Sequence, residues 1–72
     1  MEEYYRNLII ELFKKKKRMD IRMLVRKVDL NSIYELNENS FYRRKVMQKL
    51  IENKTLTIVQ IDGISYYQLN ET

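Results

Sequence analysis

The chain has 72 residues, with 14 lysines and arginines against 10 acids, a net charge of +4 and neither cysteine nor histidine. That length supports one domain over residues 1–72 with a small core, and the missing residue types exclude disulfides and the commonest transition-metal ligands. No apolar run is long enough to cross a bilayer, and the opening MEEYYRNL carries acids where a secretion signal needs bases; a cytoplasmic setting without membrane insertion is the expectation.

Residues 2–17 read as a helix. Tyr4, Tyr5, Leu8, Ile9, Leu12 and Phe13 share one broad face at helical spacing, with Arg6, Asn7, Glu11 and Lys14 opposite. Ile10 falls on the polar side, which a simple core leaves unexplained. Glu2 and Glu3 at the start and lysines at the end match the helix macrodipole. A second helix is expected at 21–28, capped by Asp20, with Ile21, Leu24, Val25 and Val28 inward and Arg22, Arg26 and Lys27 outward. Residues 29–39 are ambiguous, although Ser32 three positions before Glu35 is a capping-box pattern and suggests one helical turn around 33–36.

A third helix is expected at 40–53, with Asn39 or Ser40 as its cap. Tyr42, Val46, Met47, Leu50 and Ile51 form its buried arc, and Arg44, Lys45, Gln48, Lys49 and Glu52 the other side, with Phe41 among them. TIVQIDGISYY, residues 57–67, then folds back on itself, because both residues of Asp62-Gly63 tolerate positive φ in a two-residue turn. That turn pairs Ile61 with Ile64, Val59 with Tyr66, Ile58 with Tyr67 and Leu56 with Leu69. Leu56, Ile58, Tyr67 and Leu69 share the face expected to pack on the helices; Val59, Ile61, Ile64 and Tyr66 share the other.

Chemistry narrows the functions further. Ser32, Ser40 and Ser65 have no activating base in the sequence, and a lone glycine cannot build a phosphate-cradling loop. The carboxylates are scattered without metal-loop spacing. Neither an enzyme, a cofactor nor a metal is expected. The bases, by contrast, are grouped: residues 14–27 hold eight against one acid, and residues 43–49 hold four against none. Two such clusters with an acidic stretch between them suggest an oriented positive face.

The order helix, helix, helix, hairpin, with FYRRKVMQKLIENKTL followed by IDGISYYQL, resembles the winged helix-turn-helix superfamily, in particular its small archaeal, viral or plasmid regulators. The resemblance covers residues 2–70. It implies an α+β fold, three helices with a C-terminal two-stranded wing, and a transcriptional regulator that binds double-stranded DNA. Residues 21–28 would be the first helix of the motif and 40–53 the recognition helix in the major groove. By position, Phe41, Arg44, Lys45 and Gln48 would face base edges; arginine suits guanine, glutamine adenine, and an exposed aromatic a thymine methyl. Lys14, Lys15, Lys16, Lys17, Arg18, Arg22, Arg26, Lys27, Arg43 and Lys49 would meet phosphates.

Wings of this family that grip DNA carry Arg or Lys near the tip, whereas residues 60–65 carry none. Val59, Ile61, Ile64 and Tyr66 would make an apolar patch that a second copy could cover, so a homodimer through the wing is expected. The alternative is a protein-interaction module docking its apolar wing onto a larger machine. Membrane-surface attachment through the first helix fits less well, because its bases cluster beyond the apolar face instead of flanking it.

Overall fold

The computed structural model describes residues 1–70, which form α1 (Glu2–Lys15), β1 (Arg18–Met19), α2 (Ile21–Asn31), α3 (Leu36–Glu52), β2 (Leu56–Ile61) and β3 (Ile64–Leu69). Three helices pack beside a three-stranded antiparallel sheet of order β1-β3-β2. The strand β1 is absent from the expectation of a two-stranded hairpin. The lysine run does not continue α1, because Lys16 turns to extended backbone (φ −135°, ψ 98°). Arg18 and Met19 then pair with Gln68 and Tyr67. Met19 becomes fully buried by this turn.

The core is the stripe of α1 laid against the inner faces of α2 and α3. Tyr5, Ile9, Leu12 and Phe13 meet Leu24, Val28, Val46, Met47 and Leu50, with Met19 and Leu56 closing the sheet side. Each large apolar side chain buried this way contributes roughly 1.5–3 kcal/mol. Ile10, the misfit on the helical wheel, is half-buried against this core.

The connection between α2 and α3 departs most from expectation. α2 is capped by Asp20, whose carboxylate accepts from the Met23 N–H at 2.8 Å, and it runs on to Asn31 instead of ending at 28. No helical turn forms at 33–36. The Ser32 hydroxyl accepts from the Tyr34 N–H at 3.0 Å, a local turn and not a capping box. α3 starts at Leu36 with Glu35 at its cap, so Asn39 lies inside the helix and caps nothing. Asn39 is buried instead: Tyr5 Oη donates to its Oδ1 at 2.6 Å, and its Nδ2 donates to Asp29 Oδ1 at 3.3 Å. The Tyr5 ring stacks on Tyr42 at 5.3 Å, completing the α1–α3 crossing.

The hairpin has the expected register, Leu56 opposite Leu69 through Ile61 opposite Ile64. Asp62 (φ 53°) and Gly63 (φ 79°) take the two positive-φ positions of the turn. Only the root of the hairpin packs on the helices. Leu56 is buried and Tyr67 and Leu69 are half-buried, but Ile58, expected on the packed face, is 56% exposed. It borders an open depression with Ile21 of α2 instead of packing into the core.

The Tyr5 hydroxyl yields a direct prediction. Tyr5→Phe keeps the ring but leaves Asn39 Oδ1 buried without its donor, and should lower stability by about 1–3 kcal/mol in urea unfolding. Burial also pushes the Tyr5 hydroxyl above the ordinary tyrosine value. Stability from the neutral hydroxyl is therefore present below that ordinary value and lost as pH rises through the raised one. Tyr5→Phe should flatten this alkaline loss; an identical midpoint and alkaline profile would remove the bond from the account.

Candidate nucleic-acid interface

α3 carries bases on two flanks, and the helices beside it treat the two differently. On the flank facing the start of α1, Glu2 holds both lysines: Lys45 Nζ lies 3.2 Å from Oε1 and Lys49 Nζ 2.5 Å from Oε2. Lys45 also sits over the Phe41 ring, 5.2 Å from its centroid. Phe41 itself is 56% exposed. In this arrangement Lys45 and Lys49 share the one Glu2 carboxylate, which offsets one of their two charges, and both side chains stay exposed. Sequence spacing could not reveal this, since Glu2 stands at the far end of another helix, most of the chain away from either lysine.

The other flank is open. Arg44, Met47, Gln48 and Ile51 border a groove of about 560 Å³, closed by Ile21 of α2 and Tyr67 of β3. Gln48 Nε2 donates to Glu52 Oε1 at 3.2 Å across its outer lip. Ile21, expected in the core, is 48% exposed at this junction. It also borders a depression with Arg22, Val25, Arg26 and Asp29, and another with Ile58, Ser65, Tyr66 and Tyr67. One residue thus joins the outer face of α2, the open flank of α3 and the root of the wing into one surface. Arg22, Arg26 and Arg44 are exposed on it, and no acid among the described residues pairs with them.

The remaining expected phosphate contacts are spread more widely. Lys27 is exposed on α2, and Lys14, Lys15, Lys16 and Lys17 are exposed where α1 ends. Lys14 lies 3.5 Å from Glu11 Oε1, a solvated pair of little energetic weight. Arg18 Nε donates to Gln68 Oε1 at 3.1 Å across the sheet. Lys17 and Arg18 border a depression of their own with Gln68, Leu69 and Asn70, sharing no residue with the α2–α3 surface. Arg43 is the clear correction. Its position near the start of the expected helix puts it on the phosphate-facing surface, but it points inward and is only 8% exposed.

On the wing, Val59, Ile61 and Tyr66 are half-buried by pairing across the strands, and Ile64 is 49% exposed. β2 is the outer strand of the sheet, so one edge of its backbone is unpaired. The most exposed aliphatic side chains lie elsewhere: Leu30 (76%), Ile33 (80%) and Leu36 (62%), around the α2–α3 connection. Their signal in the sequence is that of apolar residues completing no periodic face. Among the described residues no cluster of acids could hold a metal ion and no helix is long and apolar enough to cross a membrane.

The Glu2 cluster is testable by titration. Hydrogen bonds from Lys49 and then Lys45 hold the Glu2 carboxyl below the usual glutamate range. Any stability it contributes is present above that range and lost as pH falls through the depressed value. Lys49→Met should move the Glu2 carboxyl back toward its ordinary value in a carbon-detected NMR titration. An unmoved titration would mean that the pair is not populated in solution.

No protein-family model matches the chain, and neither the curated proteins nor the solved structures contain a significant match to it.

Proposed function

We propose that this chain is a winged-helix protein that binds double-stranded DNA as a homodimer and regulates transcription. The observation that carries the reading is the surface around Ile21, where Arg22 and Arg26 of α2 meet Arg44 and Gln48 of α3 beside the root of the hairpin. Three unpaired guanidinium groups on two adjoining helices suit a duplex, whose phosphates supply affinity and whose base edges supply specificity. Arg44 would take guanine and Gln48 adenine, once its amide leaves Glu52. Arg22, Arg26 and Lys27 would hold phosphates on either side. Lys45 leaves the base-reading set and Lys49 the phosphate set, since each would have to give up Glu2, and Phe41 remains as an exposed aromatic beside them.

The wing fits the dimer half of this reading. β2 presents an unpaired edge with no charge on it, an arrangement that natural sheets usually block. Pairing of β2 with its copy about a two-fold axis would extend the sheet and cover Ile61 and Ile64. A docking module for another protein is the second reading, and the exposure of Leu30, Ile33 and Leu36 moves its candidate surface from the wing to the α2–α3 connection.

Fluorescence anisotropy with a random-sequence duplex, repeated over a salt series, tests the DNA reading. The wild type should bind with a steep salt dependence. Arg22→Gln with Arg26→Gln should flatten it, lowering the log–log slope by roughly 0.9 for each phosphate no longer neutralised, whatever the sequence. Arg44→Ala should instead cost about 1–3 kcal/mol at a selected site and little on random duplex. A wild type without affinity at low salt would end the proposal. For the dimer, Ile61→Lys with Ile64→Lys should give a monomer by light scattering with unchanged helical circular dichroism and weaker DNA binding. A wild type already monomeric at high micromolar concentration defeats it.

A further inference from the structure

The fold turns Arg43 inward without answering its charge. Arg43 is 8% exposed, and its Nη1 reaches neither solvent nor any hydrogen-bond acceptor. A guanidinium N–H buried without an acceptor opposes folding, because its hydration is lost and nothing replaces it. No carboxylate among the described residues pairs with it. Asp29 takes Asn39 Nδ2, Asp20 takes the Met23 N–H, Glu52 takes Gln48 Nε2, and Glu2 takes Lys45 and Lys49.

Arg43 lines the same groove as Ile21, Arg44 and Gln48. Ile21 is the first residue of α2. The Asp20 carboxylate serves Met23 and the Asp20 carbonyl serves Leu24. The N–H groups of Ile21 and Arg22, ahead of them, have no acceptor within the helix. One solvated guanidinium and one whose Nη1 is buried without a partner therefore line one concave site, beside the start of α2. Glu52 at the outer lip and the Asp20 carboxylate capping α2 are the opposing charges.

We propose that this groove is a binding site for a phosphoryl oxyanion, with Arg43 as the residue that completes it. On entry of the oxyanion Arg43 turns toward the groove and Nη1 gains the charged acceptor it lacks, while Arg44 holds a second oxygen. The fork geometry of two arginines suits phosphate. That the phosphate belongs to a DNA backbone rests on the function proposed above; the site itself does not.

Two measurements separate these statements. Inorganic phosphate is titrated into the ¹⁵N-labelled wild type at constant ionic strength, with chloride as the control. Saturable shifts are expected at Ile21, Arg22, Arg43 and Arg44. Random duplex is then bound to the wild type and to Arg43→Met. The variant should lose about ten- to hundredfold in duplex affinity and lose the phosphate response, while its Tm stays at or above that of the wild type. This pairing of lost binding with undiminished stability is what a merely structural arginine would not give. Phosphate that leaves the groove resonances unmoved overturns the site, as does a variant that binds phosphate and duplex like the wild type. Saturable phosphate without duplex binding keeps the site and overturns the DNA reading. Should Arg43→Met fail to fold, the wild-type phosphate titration decides alone, saturation at the groove supporting the site and silence overturning it.

Discussion

The hydrogen bond from Tyr5 Oη to Asn39 Oδ1, 2.6 Å long and buried where α1 crosses α3, sets the phase of everything that follows. A buried amide must be satisfied on both ends, and here Asp29 of α2 takes the other end. One side chain thereby ties all three helices. With Asn39 held inward, the residues one, two and three turns later must face inward too. Those are Arg43, then Val46 and Met47, then Leu50, and all are buried. The inward arginine is a consequence of that phase.

The same phase divides the outer face of α3. Lys45 and Lys49 turn toward α1, where Glu2 at the helix start stands between them, and Arg44 and Gln48 turn toward α2 and the wing. The outer side of α3 thus has one flank whose two lysines share a single carboxylate and one flank on which Arg44 has no acid partner. A lysine bound to Glu2 gains less from a phosphate than an unpaired arginine does, though exposed pairs of this kind are weak. The open flank is narrower than the charge count implies, and it is continuous with the bases of α2 through Ile21. The long lysine run lies outside it, at the edge where β1 pairs with β3.

Periodic features are legible in the sequence and contextual ones are not. The stripe of α1, the Asp20 cap and the hairpin register through Asp62-Gly63 follow from local chemistry, and the structure has them. Asn39 is a good cap by residue type, which puts the start of α3 too late; only the distant Tyr5 makes it a buried interior residue. β1 escapes notice because two residues carry no periodicity; pairing with β3 creates that strand. Correct alternation assigns Ile58 to a packed face, but alternation does not say how closely the helices cover that face. Among the candidate site residues, Arg22, Arg26, Arg44 and Gln48 are gathered on one surface. Lys45, Lys49 and Arg43 are not set out on the open surface as their spacing suggests, because their surroundings depend on Glu2 and Asn39, which spacing along α3 cannot register.

The central claim is that the surface joined at Ile21 meets the DNA duplex. Chemical-shift mapping of the ¹⁵N-labelled protein with a short random duplex at low salt addresses it most directly. The account predicts perturbations concentrated at Arg22, Arg26, Arg44 and Gln48, weak ones at Lys45 and Lys49, and none at Leu30, Ile33 or Leu36. Absent binding, or perturbations centred on Leu30, Ile33 and Leu36 with a silent α2–α3 groove, would contradict it.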